Sequence, residues 1–281
     1  MTILFVILLA VIEGAAGMLL LSGDGHLLLF EKLFGVAELP YNFQYFAVVL
    51  HLGNLIAVLV CYRKEAWQLL QELLRALHIL KTPAGERRHP SVWRREQLFY
   101  VLGSLPMLLS LLLLGPVRWV YGLDSSLLLV ALALGLSGLA LFLSERFYRG
   151  SKDEKNVTPL DAVLIGLSQV PTVFPGLSRG ALTTSVGVLC GLKREYAVRF
   201  SCLLSVPAIL AALICEAIGA RGSELLMPPF WMCLAGVAVS ALVSFLALKL
   251  LERIARYGRL DNLAYWCWGA GILSAVLVLI T

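Results

Sequence analysis

YFAVVLHLGNLIAVLVC, residues 45–61, aligns without a gap to RFSCLLSVPAILAALIC, residues 199–215. Upstream of each copy a second pair matches: LLAVIEGAAGMLLLSGDGHL (8–27) with LIGLSQVPTVFPGLSRGALT (164–183). Glu13 then faces Gln169, and Ser22 faces Ser178. Two matches in the same order, at nearly the same offset, argue for an internal duplication.

The chain around these copies is 59% hydrophobic and 15% charged, with a mean hydropathy of +0.86. That composition leaves too little polar surface for a water-soluble globule, so lipid is the expected solvent. Six apolar runs, near 43–62, 98–117, 125–145, 196–217, 229–250 and 262–280, approach the roughly 20 residues that cross a bilayer. Two further stretches, 2–38 and 158–192, are apolar but interrupted by Gly, Pro and polar residues. Broken backbone at membrane depth is tolerated where it is buried in protein or lines a cavity, so both read as re-entrant helical hairpins. The expected fold is an all-α polytopic membrane protein with six full spans and two hairpins. It forms one membrane domain over 1–281, in two inverted repeats of about 1–150 and 151–281. Three spans per copy invert the second copy, which puts a shared site at the repeat interface near the midplane. The run 2–12 has no basic n-region and no small-x-small cleavage site, and is read as mature protein.

Charge tests this topology. If the hairpins return to the side they enter, segments 63–96, 146–157, 193–199 and 249–259 share one face, which holds 19 Lys and Arg. The other face has Lys32, Arg118 and Arg221. The positive-inside rule makes the rich face cytoplasmic and puts both termini outside. The net charge of +5 is therefore topological, and no nucleic-acid partner is expected. Segment 63–96, with Arg87, Arg88, Arg94 and Arg95, reads as a partly helical surface segment. The six cysteines lie in apolar segments without a C-x-x-C pair and are read as small buried hydrophobes.

Polar residues inside the apolar hairpins mark the candidate site, because ionisable groups in a membrane are costly. The first hairpin carries Glu13, Ser22, Asp24 and His26; the second carries Gln169, Ser178, Arg179, Thr183, Thr184 and Ser185. PGLSRG (175–180) contains G-x-S-x-G, the pattern of a serine-hydrolase nucleophile elbow. That elbow needs a strand–turn–helix and a histidine later in the chain. All four histidines (His26, His51, His78, His89) precede Ser178, so the hydrolase reading fails. The stretch reads instead as a loop opening a half-helix, whose amides and dipole point at an anion while Arg179 adds a bidentate fork for phosphate.

EGAAGMLLLSGDGH, PGLSRGALT and FSCLLSVP together resemble the integral-membrane undecaprenyl pyrophosphate phosphatases. Their motifs read approximately E-G-x-x-E-x-x-P-x-S-S-x-G-H and P-G-x-S-R-S-x-x-T, and the resemblance runs along the whole chain. It implies hydrolysis of a polyprenyl pyrophosphate to its monophosphate on the outer face of the bacterial cytoplasmic membrane, recycling the lipid carrier of cell-wall synthesis. It implies Glu13, His26 and Arg179 as catalytic residues, with His26 as nucleophile or general acid/base and Glu13 orienting it or holding a metal. Ser22, Asp24, Ser178, Thr183 and Gln169 are the expected substrate contacts. A divalent cation, Mg²⁺ or Ca²⁺, is implied, with Glu13 as an expected ligand and Asp24, outside the motif, as a second that could partly compensate for Gly17. The expected partners are the lipid, the membrane and a second copy in a homodimer.

The chain departs from the motifs at definite places. Gly17 stands for the second glutamate, Leu20 for the proline, Gly23 for the second serine and Asp24 for a small residue. Gly180 stands for the serine after the arginine, and Arg199 for an acidic residue before the later FS. The other reading, from a different class, is a polyprenyl-phosphate transporter or lipid-binding paralogue without hydrolysis, since inverted repeats with broken helices are transporter architecture.

Overall fold

A computed structural model of the chain describes residues 3–34, 43–76, 96, 98–107, 126–219 and 228–280. Among these the chain is helical, with a single isolated bridge, Lys152 to Leu192, and no strand. The helices are α1 (Ile3–Met18), α2 (Gly23–Phe34), α3 (Phe43–Cys61), α4 (Arg63–Ala76), α5 (Leu98–Met107), α6 (Leu127–Arg146), α7 (Pro159–Leu167), α8 (Arg179–Leu189), α9 (Arg194–Gly219), α10 (Phe230–Tyr257) and α11 (Asp261–Ile280). This is a polytopic membrane protein.

Four helices are long and apolar enough to cross a bilayer: α6, the Arg194–Cys215 part of α9, α10 and α11. They match four of the six expected spans. A fifth, at 43–62, is α3, which bends by 92° into α4. The expected span 98–117 is described only as far as Met107. α10 runs seven residues past the expected end at 250, because beyond the apolar part its turns are charged and paired. Lys249 bonds Glu252 at 2.9 Å and Arg256 reaches Glu195 at 3.3 Å. α4 turns Trp67 and Leu70 outward among charged residues, as a helix lying along a lipid surface does. Arg87, Arg88, Arg94, Arg95, Arg118 and Arg221 lie outside the described residues.

Both interrupted stretches are broken helices. α1 (16 residues) and α2 (12 residues) meet at a sharp turn in which Leu20 and Ser22 take positive φ of 65° and 69°. In the second stretch α7 is set by a capping box, Thr158 with Asp161, and by Pro159 in its first turn. A short 3₁₀ turn (Val170–Val173) and Gly176 at φ 93° then lead into α8. No arm reaches spanning length.

Packing relies on close approach at small residues. α1 lies on α10, where a Cβ at Gly14 would stand 2.8 Å from the Ser240 carbonyl. The end of α7 lies on α5 through Gly166 against the Gly103 backbone. α6 packs along α11 and α8, and α8 along α9. Leu132, Leu242 and Ile272 face outward, as lipid contact requires. Four of the basic segments meet at one end of the bundle. Arg194 forks onto Glu145 with both bonds at 2.7 Å, and the Leu260 amide adds a bond to the same carboxylate at 3.1 Å. Arg199 sits among Glu65, Glu96 and Glu154 at 3.9, 3.4 and 3.3 Å. The cysteines are free. Cys202 and Cys267 are buried as expected, but Cys215 is exposed, because it lies on the outward face of α9.

Candidate functional site

The two hairpins meet at their turns. A Cβ on Gly25 would come within 2.8 Å of the Gly176 Cα, and one on Gly180 within 2.8 Å of Leu20 Cδ2. Each tip ends in a capped half-helix. The Ser22 hydroxyl accepts from the Gly25 amide at 3.3 Å, and the Ser178 hydroxyl accepts from the Ala181 amide at 3.2 Å. Capping uses oxygen lone pairs and leaves each hydroxyl proton free to donate. The Ser178 amide itself donates to Ser137 Oγ on α6 at 2.9 Å, which anchors the second tip.

Glu13 is buried in α1, one turn and more before the break. Its Oε1 accepts from the Asn54 amide at 2.8 Å, and Asn54 in turn accepts from Ser244 on α10 at 2.6 Å. His51 Nε2 stands 3.5 Å from Glu13 Oε1 and 3.4 Å from Asp24 Oδ1. The structure therefore brings Glu13 and Asp24 together, with His51 between them. Arg179 opens α8 and lies within electrostatic range of Asp24, Glu13 and His51. Asp24 is exposed, and Arg179 is half-buried.

Other expectations change. Glu13 does not orient His26. The Nδ1–H of His26 donates to the Ser22 carbonyl at 2.9 Å, and its Nε2 accepts from the Trp266 indole at 3.1 Å. The reason is reach: His26 lies one turn into α2 on the side of α11, while Glu13 points toward α3. Thr183 donates to the Arg179 carbonyl at 2.8 Å and meets Ser201, so its hydroxyl ties α8 to α9. Gln169 donates to the Gly103 carbonyl at 3.0 Å, and its buried Oε1 has no partner among the described residues.

Sequence reasoning missed His51, Asn54 and Trp266. The first two sit in the middle of the span 45–61, where a polar residue is as costly as one in a hairpin and carries the same signal. Trp266 gave no signal, because an aromatic in a span is ordinary.

Asn54 also accounts for Gly17. A Cβ there would stand 2.6 Å from Asn54 Nδ2 and 3.0 Å from Glu13 Oε1. Restoring a glutamate would push Asn54 off Glu13 and Ser244, leaving buried polar atoms unpaired. Gly17→Glu is expected to lower stability in detergent by about 1–3 kcal/mol. Adding Asn54→Ala should recover part of that loss in a double-mutant cycle of thermal unfolding, and strictly additive losses would refute the collision.

The model of the family described as bacitracin resistance protein BacA matches residues 6–273. An undecaprenyl-diphosphatase of Carboxydothermus hydrogenoformans is 31% identical over 273 residues, covering 96% of this chain and 95% of its own. Proteins of the same name from Korarchaeum cryptofilum and Trichlorobacter lovleyi are 32% and 33% identical, each covering at least 95% of both chains. Matched from the first hairpin to the last helix, the chain belongs to the bacitracin resistance protein BacA family.

Proposed function

We propose that this protein hydrolyses undecaprenyl pyrophosphate to the monophosphate and inorganic phosphate, recycling a lipid carrier of cell-wall synthesis. One observation carries the reading beyond the relatives' names. A guanidinium at a helix N-terminus lies within electrostatic range of two carboxylates and an imidazole where two broken helices meet, an arrangement that suits a phosphate group. The terminal phosphoryl group passes to water, directly or by way of His26, as the anhydride P–O bond breaks and the prenyl monophosphate leaves. Arg179 binds the phosphate oxygens and offsets the charge that spreads over them in transfer. The hydroxyl protons of Ser22 and Ser178 and the amides of α8 complete the cradle. The His26 Nε2 is the basic atom of the pair, freed for proton transfer or attack when substrate displaces the Trp266 indole.

The donor set suits the divalent cation that the resemblance implies, since Glu13 Oε2 is buried and has no partner among the described residues. Glu13 and Asp24 would hold Mg²⁺ or Ca²⁺, and when bound the ion supplies charge neutralisation at the pyrophosphate.

The inverted duplication is supported by paired features. Serine caps both α2 and α8 at the third amide on. One arm of each hairpin lies on a helix of the other half, α1 on α10 and α7 on α5. The basic end is the cytoplasmic one by the positive-inside rule, so the site opens outward and both termini lie outside.

Purified protein in detergent, given undecaprenyl pyrophosphate with Mg²⁺ or Ca²⁺, is expected to release phosphate. His26→Ala should release it about 10²–10⁴-fold more slowly. No release under either cation, or unchanged release by the variant, would overturn the scheme.

A further inference from the structure

We propose that Glu13, Asp24 and His51 form a mixed oxygen–nitrogen cation site that prefers a borderline transition ion, Zn²⁺, over Mg²⁺ and Ca²⁺. The inference rests on the reading of this cluster as the cation site of the phosphate-binding centre. One oxygen of each carboxylate and one ring nitrogen lie within 4.8 Å of one another. The pairs that include His51 are 3.5 and 3.4 Å apart. Ligands held about 2.0–2.1 Å from a tetrahedral ion stand about 3.3 Å apart, close to the two pairs that include His51.

Two observations fit an ion at this place. The first is the tautomer of His51. Its Nδ1 is 3.0 Å from the Ala47 carbonyl, which can only accept, so Nδ1 carries a proton. Its Nε2 side then faces one oxygen of each carboxylate, and a positive charge among them, a cation or a proton on Nε2, holds the three together. Metal-bound histidines are fixed in this way, with the far nitrogen donating to a carbonyl. The second is Glu13 Oε2, which is buried and without a partner among the described residues while Oε1 is held by Asn54. Ser244, Asn54 and Glu13 form a chain that orients the carboxylate, as outer-shell partners do.

The ligand types set the preference. Carboxylates alone suit hard ions, while imidazole suits zinc and its neighbours. Asp24 and His51 thus supply, from α2 and α3, what Gly17 no longer offers from α1.

Chelator-stripped protein in detergent is titrated with Zn²⁺, Mn²⁺, Mg²⁺ and Ca²⁺ by calorimetry, with bound metal counted by elemental analysis. One zinc per chain, bound at least about tenfold more tightly than Mg²⁺ or Ca²⁺, is expected, and His51→Gln should remove that margin. Tighter binding of Mg²⁺ or Ca²⁺, or equal zinc affinity in the variant, overturns the proposal. Should the variant fail to fold, imidazole ¹⁵N NMR of the wild type decides: a zinc-induced shift of an unprotonated His51 Nε2 supports the site, and an unmoved imidazolium overturns it. The two readings fail separately. Zinc bound through His51 without phosphate release sinks the phosphatase, whereas phosphate release with Mg²⁺ and indifference to zinc sinks the transition-metal preference.

Discussion

Alanine at Arg179 is expected to slow phosphate release by about 10³–10⁵-fold, the range that a charge-stabilising arginine contributes to phosphoryl transfer. Two properties of the position place it at the high end. The side chain opens α8, so its charge adds to that of the helix N-terminus. Its charge also acts on Glu13 and Asp24, so removing it leaves two carboxylates uncompensated near an anionic substrate. Lysine should restore little, because a point charge lacks the planar fork that meets two phosphate oxygens. The measurement is phosphate release together with binding of the pyrophosphate lipid, and both should fall. Retention of activity within a factor of about ten would remove Arg179 from the centre of the mechanism.

Arg194→Ala should cost about 3–5 kcal/mol of stability without touching the site. Glu145 is buried, and its two oxygens take both arms of the Arg194 fork plus the Leu260 amide. That one carboxylate ties the end of α6 to the start of α9 and to the α10–α11 turn. Truncating the arginine strands a charge that the surrounding helices have desolvated. Glu145→Gln in the Arg194→Ala background removes the stranded charge and should return part of the loss. Thermal unfolding in detergent reads both variants, and a melting temperature unchanged by Arg194→Ala would mean that Glu145 finds another partner or water.

The fold was legible because lipid forces a simple code. Four spanning helices and both broken stretches announced themselves by length and interruption, and the charge count anticipated which segments meet at one end. The span lengths were less legible: the charged last turns of α10 are held by ion pairs that no hydropathy pattern contains. At the site, Glu13, Asp24 and Arg179 could be found as charges in apolar context. Their partners could not. That Glu13 turns to Asn54 and His51 rather than to His26 depends on which way α1 faces, and α1 is apolar nearly all round. Thr183 matched a motif, yet the crossing of α8 and α9 spends its hydroxyl on Ser201 and the Arg179 carbonyl. Arg199, a departure from the motif, makes sense only with Glu65, Glu96 and Glu154 around it, and those residues come from two other segments, 63–96 and 146–157.

The contact between Asn54 and the bare backbone of Gly17 also couples substitutions. A carboxylate at 17 meets space that this asparagine occupies and carries its full cost unless position 54 changes too. A change at 54 alone removes a donor from Glu13. At Gly23, too, a Cβ would collide with the Glu13 carboxylate, so a serine there requires that side chain to turn. Gly17, Gly23, Asn54 and Glu13 therefore form one unit of substitution, in which the order of exchanges decides whether each intermediate keeps Glu13 bonded.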